Sequence, residues 1–366
     1  MKKNTTIILF LIAVTCGSVV AQRTDFIRDR NFEGGLYAKT AWVGGGNATL
    51  IALPMVYSMA YTEDLSFDAV TIPAFAFSSP SNSSVLRLSN TKLRATYVWN
   101  NILIATFGAK VPTGLNGFDE SQLGTAGSIA TRQLGFRNAN LFNTCDIMAG
   151  VSSSLPFKDA GPGDLSLGLG LSYLYKIPYQ PVAGADVWFS PASEFNISLA
   201  GEYVFLAAAR QITLLADLGF TVYGADEYGE TDPVEVGAKF NWALFGATEM
   251  VPGLPASVRL ANYKKGANTQ GRIGETNKEA SDLIITLKHG LPLLINSAPY
   301  GMLSLGTYSG GGNNFGDALV TTIGGGVSPR LSEHLFANGE VGIDLGELGG
   351  DFVFGMEVYG KIQYKF

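Results

Sequence analysis

Apolar and polar side chains alternate along most of this chain. In residues 352–366, Phe352, Phe354, Met356, Val358, Gly360, Ile362, Tyr364 and Phe366 fall on one face, and Glu357, Lys361, Gln363 and Lys365 on the other. A pleated strand sends successive side chains to opposite sides, so this segment presents one oily and one wet surface. It also exceeds the roughly 9–11 residues that a tilted strand needs to cross a bilayer. The same reading predicts strands over residues 35–44, 49–62, 66–77, 86–99, 102–111, 142–155, 165–177, 195–206, 211–223, 235–245, 256–263, 282–291, 302–308, 319–328, 335–343 and 352–366. The fold class expected is all-β, a transmembrane antiparallel up-and-down barrel of 14–16 strands, since such barrels close with an even number.

Connection lengths sort themselves along this series. Turns at Glu63-Asp64, Asn100-Asn101, 207–210 and 331–334 are short, whereas 112–141, 178–194 and 264–281 are long. Short periplasmic turns and longer extracellular loops are the rule for these barrels, so the first strand rises from the periplasm. At its length, 112–141 is the leading candidate to fold into the lumen. The expected organisation is a signal peptide at 1–21, a short periplasmic segment at 22–34 and one barrel domain at 35–366.

A charge facing lipid near the midplane costs about 2–4 kcal/mol, so the polar sets should face the lumen. Lys92 and Arg94 oppose Leu93 and Tyr97; Glu202 opposes Tyr203; Lys239 and Asn241 oppose Phe240 and Trp242. With Asp217, Arg259, Lys288, Glu357 and Lys361 they form the set of pore-lining candidates. The plainer reading of any one of them is a solvated, salt-bridged interior, because barrel interiors are polar whether or not they recognise anything.

Composition narrows the class further. Charged residues make up 15% of the chain and Gly numbers 45, a balance that a lipid-facing β surface produces. Setting aside Lys2 and Lys3 leaves 23 basic against 31 acidic residues, a formal charge of −8. Nucleic acid is therefore not an expected partner. After the amino-terminal segment no apolar run approaches the ~20 residues of a spanning helix, and a closed barrel is the other way to satisfy every backbone amide in hydrocarbon.

At the amino terminus Lys2-Lys3, the apolar run 7–14 and Val19-Val20-Ala21 form a signal peptide, with the mature chain starting near Gln22. Thr15 before Cys16 makes a poor lipid-attachment site, which leaves Cys145 as the single cysteine of the mature part and no intramolecular disulfide. His289 and His334 are the two histidines. Neither is placed as a base beside a nucleophile: His289 continues the outward face of Leu283, Ile285 and Leu287, and His334 lies in a turn. No catalytic site, cofactor or metal is expected; the acidic loop at Asp226-Glu227, Glu230 and Asp232 lacks calcium-loop spacing and reads as a solvated external loop. Gly168-Leu169-Gly170 and Gly324-Gly325-Gly326 open no helix, so they relieve strain or bend strands rather than cradle phosphate.

An amphipathic final strand ending on Phe366 resembles the carboxy-terminal recognition signal of bacterial outer-membrane β-barrels, with Tyr364 and Phe366 as the membrane-insertion signal. A narrower resemblance lies in 53–67 with Val70-Thr71-Ile72-Pro73, and in Phe107-Gly108-Ala109-Lys110-Val111-Pro112-Thr113-Gly114. The first is similar to a prolyl hairpin, and the second to a G-x-K-x-P-T-G strand end, of the meta-pathway phenol degradation barrels, themselves similar to the long-chain fatty acid transporters. That resemblance covers about the first quarter of the mature chain and implies passage of small, hydrophobic molecules, without assigning a substrate site. The fatty acid transporters' substantial amino-terminal hatch is not expected here, because 22–34 is too short for one. The expectation is a non-enzymatic channel or transporter in the bacterial outer membrane. Its partners would be outer-membrane lipids, the barrel assembly machinery and a small-molecule solute. The alternative is a barrel that anchors extracellular loops which bind a partner.

Overall fold

The computed structural model describes residues 30–366 except 80, 101, 115–116, 138–140, 142–143, 185, 208–209, 230, 252–253, 272–273, 293–297 and 311–315. The expected signal peptide and most of the short segment after it lie outside the described residues. The described chain forms a closed antiparallel barrel of sixteen strands.

Strand β1 spans Asn31–Val43, and β2 runs through Gly46–Ala52 and Met55–Ala60. Strand β3 runs through Leu65–Thr71 and Pro73–Ser78, and β4 through Ser83–Leu88 and Thr91–Trp99. Then come β5 Leu103–Val111, β6 Cys145–Ala160, β7 Gly163–Ile177 and β8 Glu194–Ala207. The next four are β9 Arg210–Tyr223, β10 Lys239–Val251, β11 Leu254–Lys265 and β12 Ala280–Gly290. The series ends with β13 Tyr300–Gly310, β14 Ala318–Val327, β15 Leu335–Leu348 and β16 Asp351–Lys365. Each pairs with its sequence neighbour, and β1 pairs with β16 from Asn31↔Lys365 to Val43↔Val353. Closure leaves no edge strand with an open row of amides, the condition for a sheet in hydrocarbon.

All sixteen expected strands are present, with shifted ends. Strand β1 starts at Asn31, ahead of Gly35, because Gly34-Gly35 interrupts the apolar pattern without interrupting the ladder. Strand β6 continues to Ala160 through Pro156, a residue that reads as a stop because it cannot donate to the ladder. In β2–β4 the ladder is locally irregular: Pro54 and Pro73 lack donors, and the register slips by one residue between Val70↔Lys92 and Pro73↔Leu88.

The outer surface is the one the alternation predicts. Leu167, Leu169, Leu199, Leu218, Leu305 and Val341 are exposed, forming an apolar band. Aromatic residues flank it at both ends. Trp42 packs on Phe354 with ring centroids 5.3 Å apart at one end, and Tyr61 on Phe67 (6.2 Å) and Tyr364 on Phe366 (4.9 Å) at the other. Amphipathic rings at the two interfaces around a hydrocarbon-height belt are how such barrels sit in a bilayer. His289 faces outward and is exposed, and His334 sits in its turn against Tyr364.

Long connections collect at the end opposite the amino terminus of β1. Five short strands there, Phe189–Ser190, Ala225–Tyr228, Val234–Glu235, Asn268–Gln270 and Gly274–Asn277, pair into a small second sheet that continues the wall upward. The expectation of a solvated loop at Asp226 is modified: its carboxylate accepts a hydrogen bond from the Ala192 amide at 2.7 Å, tying two loops together.

The hydrophobic core lies inside the lumen. Helix α1 (Glu120–Ala130), in the connection between β5 and β6, packs against the inward faces of β2, β3 and β4. Ala126, Ile129, Leu134, Phe136 and Leu141 of this segment are buried with Tyr37, Ala48, Leu50, Ala74, Ala76, Val85, Val320 and Val353 of the wall. Each large side chain removed from water in this way contributes about 1.5–3 kcal/mol.

Candidate functional site

The segment between β5 and β6, residues 112–144, is held to the wall at successive points. Thr113 donates to the Ser89 carbonyl at 2.9 Å. Arg87 of β4 donates to the Gly117 carbonyl and stacks its guanidinium 3.7 Å from the centre of the Phe118 ring. Helix α1 begins after Asp119, whose amide donates to the Gln122 side chain at 3.2 Å, satisfying one of the free donors of the first turn. It is then bound to the β3–β4 hairpin by hydroxyls, with Thr125 Oγ1 2.8 Å from Ser81 Oγ and 2.6 Å from Ser83 Oγ. Thr125 has no exposed surface, so these bonds are what makes its burial tolerable.

Beyond the helix the segment reaches the far wall. In a closed ring of sixteen, the strands facing β5 and β6 are β13 and β14, and the next contacts fall on strands flanking that pair. Arg132 forms an ion pair with Asp282 of β12 and stacks 4.0 Å from the centre of the Tyr263 ring of β11. The Gly135 carbonyl accepts from Lys39 Nζ of β1 at 3.3 Å, and the Arg137 amide donates to the Tyr37 hydroxyl at 3.0 Å. Arg137 Nη2 then lies 2.6 Å from Glu340 of β15 and 2.5 Å from Glu357 of β16.

A compact ionic network surrounds that arginine. Lys39 Nζ is 2.6 Å from Asp344 and 3.6 Å from Glu357; Lys288 Nζ is 3.0 Å from Glu340, which also accepts from the Tyr300 hydroxyl at 2.7 Å. Buried carboxylates are tolerated when they are paired and hydrogen-bonded like this. Glycine makes room for it: a Cβ on Gly326 would sit 2.6 Å from the Tyr300 hydroxyl oxygen, and one on Gly355 2.9 Å from Asp344. Gly326 thus leaves space for the Tyr300 ring, a sharper role than strain relief.

The sequence candidates divide between two regions. Lys288 and Glu357 belong to the network that holds Arg137. Lys361 pairs with Glu33 at 3.1 Å, and Arg94 with Asp68 at 2.6 Å on neighbouring strands. Lys92 faces inward and is exposed to the bore beside Lys110, which pairs with Asp146 at 3.0 Å. Glu202, Asp217, Lys239, Asn241 and Arg259 occupy inward positions of β8–β11, where the infolded segment reaches the wall through Arg132 on Tyr263. Missing from the candidates were Lys39, Arg132, Arg137, Asp282, Glu340 and Asp344. A signal was available: Ala48, Leu50 and Ala52, with Ala74 and Ala76, make inward positions apolar, and a strand apolar on both faces is covered on both. Above the membrane, burial beside Asp146 and Asp226 pushes the Tyr179 phenol up to about 12, so it remains a neutral donor. Among the described residues no group of three His, Cys, Asp or Glu side chains is arranged to hold a metal.

A closed sixteen-stranded barrel with a lipid-matched exterior and a segment folded across its bore is an outer-membrane β-barrel of the bacterial type. No protein-family model matches the chain, and no curated protein matches its sequence. Solved structures do. The chain is similar to OprB of Pseudomonas putida, at 8% identity over 92% of this chain and 94% of that one, with a TM-score of 0.50. It is also similar to Acinetobacter baumannii OccAB2, at 9% identity, 92% and 98% coverage and a TM-score of 0.42. The COG4313 outer membrane channel from Pseudomonas putida F1 is similar at 13% identity, 93% and 96% coverage and a TM-score of 0.38. At such identities the likeness is one of fold.

Proposed function

We propose that this protein is a non-enzymatic diffusion channel of the outer membrane, in which residues 112–144 form a fixed constriction that narrows the bore without filling it. The observation that carries the reading is the asymmetry of the infolded segment. It packs against β1–β4 and β13–β16, touches β11 and β12 through Arg132 and meets the β7–β8 loop at Phe118, whereas the inward faces of β6–β8 within the barrel carry short side chains such as Gly150, Gly168, Gly170, Ser172, Ser198 and Ala200. Side chains that short cannot close a barrel of sixteen strands, a size at which porins leave an aqueous channel. The polar lining of that side favours hydrated solutes over the hydrophobic cargo that the family resemblance implies. Delivery by the barrel assembly machinery through Tyr364 and Phe366 belongs to the same reading.

Planar-bilayer conductance of the purified protein, compared with a variant in which 115–140 is replaced by a short glycine-serine linker, tests it. Steady conductance that rises in the deletion supports the channel. Absence of current in both forms overturns it and favours the anchor reading, for which the small sheet formed by the extracellular loops would supply the binding surface.

A further inference from the structure

Charge is segregated across the bore. The carboxylates of Glu340, Asp344 and Glu357 lie beneath the infolded segment and are matched there by Arg137, Lys39 and Lys288. On the uncovered side, at the level where the strands leave the membrane, cations predominate. Lys92 pairs in register with Lys110, Lys110 with Asp146, and Asp146 with Lys176; farther round the wall Lys239 pairs in register with Lys265. Arg132 of the infolded segment completes the arc.

Acidic side chains are outnumbered at this level, and three of them are already ion-paired. Asp146 is taken by Lys110, Glu194 by Lys176 at 2.6 Å, and Asp282 by Arg132. Asp226 accepts from the Ala192 amide, a neutral donor that leaves its charge to act on Lys265 across a gap too wide for an ion pair. Among the described residues Lys92 and Lys265 form no ion pair. Lys265 Nζ lies 5.8 Å from the centre of the Tyr223 ring, and its charged neighbours are Asp226, Arg132, Lys176 and Glu194. Lys239 lies 5.4 Å from the centre of the Tyr263 ring. The Tyr223 face attracts Lys265 without cancelling its charge. Deeper in the bore the sign changes: Glu202 and Asp217 share the wall with Arg259, about 20–25 Å farther along their strands.

From this we infer that the outer constriction is an anion-capture site, resting on the channel reading above, and that its solute class is a small organic carboxylate whose charge meets Lys265 and Arg132 while its body lies against Tyr223 and Tyr263. Focusing between low-dielectric walls raises the local concentration of an ion of opposite sign. A carboxylate also supplies the acceptors that Lys265 lacks.

The test is the reversal potential of the full chain in planar bilayers under a potassium chloride gradient, with benzoate as the organic probe and benzyl alcohol as its neutral counterpart. Anions should permeate preferentially, and benzoate but not benzyl alcohol should block the chloride current. Lys265→Glu should lower the chloride-to-potassium permeability ratio about tenfold, the scale on which charged clefts concentrate ions, and abolish the block. Lys92→Glu should lower the ratio independently. Lys264→Glu, the same charge change on an exposed side chain of the opposite face, should leave it in place. Current without anion preference, or a preference unmoved by Lys265→Glu and Lys92→Glu, overturns the inference while leaving the channel intact. If no form conducts, the channel reading falls, and calorimetric titration of the detergent-folded barrel with benzoate decides the site. Heat that disappears in Lys265→Gln supports it, and no heat in the native sequence refutes it.

Discussion

Replacing Arg137 with alanine should unpin the infolded segment. Among the described residues its guanidinium is the one group that joins the segment to both Glu340 and Glu357, whose side chains are 6% and 13% exposed. Removing one partner of a fully buried ion pair costs about 3–5 kcal/mol, chiefly because the other charge is left behind. Two facts reduce that figure here. Arg137 itself is 40% exposed, so water already screens part of the interaction, and Glu340 keeps Lys288 and Tyr300 while Glu357 keeps Lys39. A loss of ~2 kcal/mol in docking free energy remains, which multiplies the undocked population about 30-fold. Single-channel recording should show excursions to a larger conductance that are rare in the native protein and frequent in Arg137→Ala. A cycle with Glu357→Gln should return a coupling of ~1 kcal/mol between the two sites. An unchanged conductance histogram, with a coupling below ~0.3 kcal/mol, would show that packing alone holds the segment and that the ion pairs are incidental.

Other substitutions probe the core, the two faces and the final strand. Ile129→Ala, at a side chain with no exposed surface, should cost about 2–5 kcal/mol through a cavity against the wall, read as a lowered unfolding midpoint together with increased open-channel noise. Leu199→Arg on the lipid face should cost about 2–4 kcal/mol in folding into vesicles, whereas Ala200→Arg one residue away on the lumen face should fold like the native chain; equal penalties would contradict the assigned faces. Removal of Phe366 with Tyr364→Ala should lower the fraction of protein reaching the heat-modifiable folded form in the outer membrane, and undiminished assembly would dismiss these residues as the insertion signal.

The barrel was legible because its determinant is local. Alternation with period two is written into each strand separately, so sixteen segments could be found one at a time, and the short and long connections then ordered them. Ends were misplaced where a local rule meets a tertiary override, as at Pro156 and Gly34-Gly35, since pairing with two neighbours carries a strand through residues that would stop an isolated one. The infolded segment was legible only as a long connection. Its seat is written in other strands, as the inward alanines of β2 and β3 and the acidic residues of β15 and β16, and Arg137 meets Glu340 across 203 positions of sequence. A pairing so distant carries no periodic signature, which is why the inward charges of single strands were found but not the network that joins them.

On the channel reading the same segment sets both the width of the bore and the sign of its field, and these two effects can be separated. A purely steric plug, once deleted, would raise conductance and leave ion preference where the wall puts it. Deletion of 115–140 does more: it withdraws Arg132 and Arg137 and returns Glu340 and Glu357 to water, with Lys288 and Lys39 left to answer the three carboxylates of Glu340, Asp344 and Glu357. Conductance should therefore rise while the permeability ratio moves toward potassium, even though Lys92, Lys110 and Lys265 are untouched. Arg137→Ala should move the ratio in the same direction by a smaller amount, because the segment still covers the acidic wall for most of the time. A deletion that widens the pore and keeps its anion preference would mean that the arc on β4–β11 fixes the sign unaided, and that the ionic network on the far wall serves only to hold the segment down.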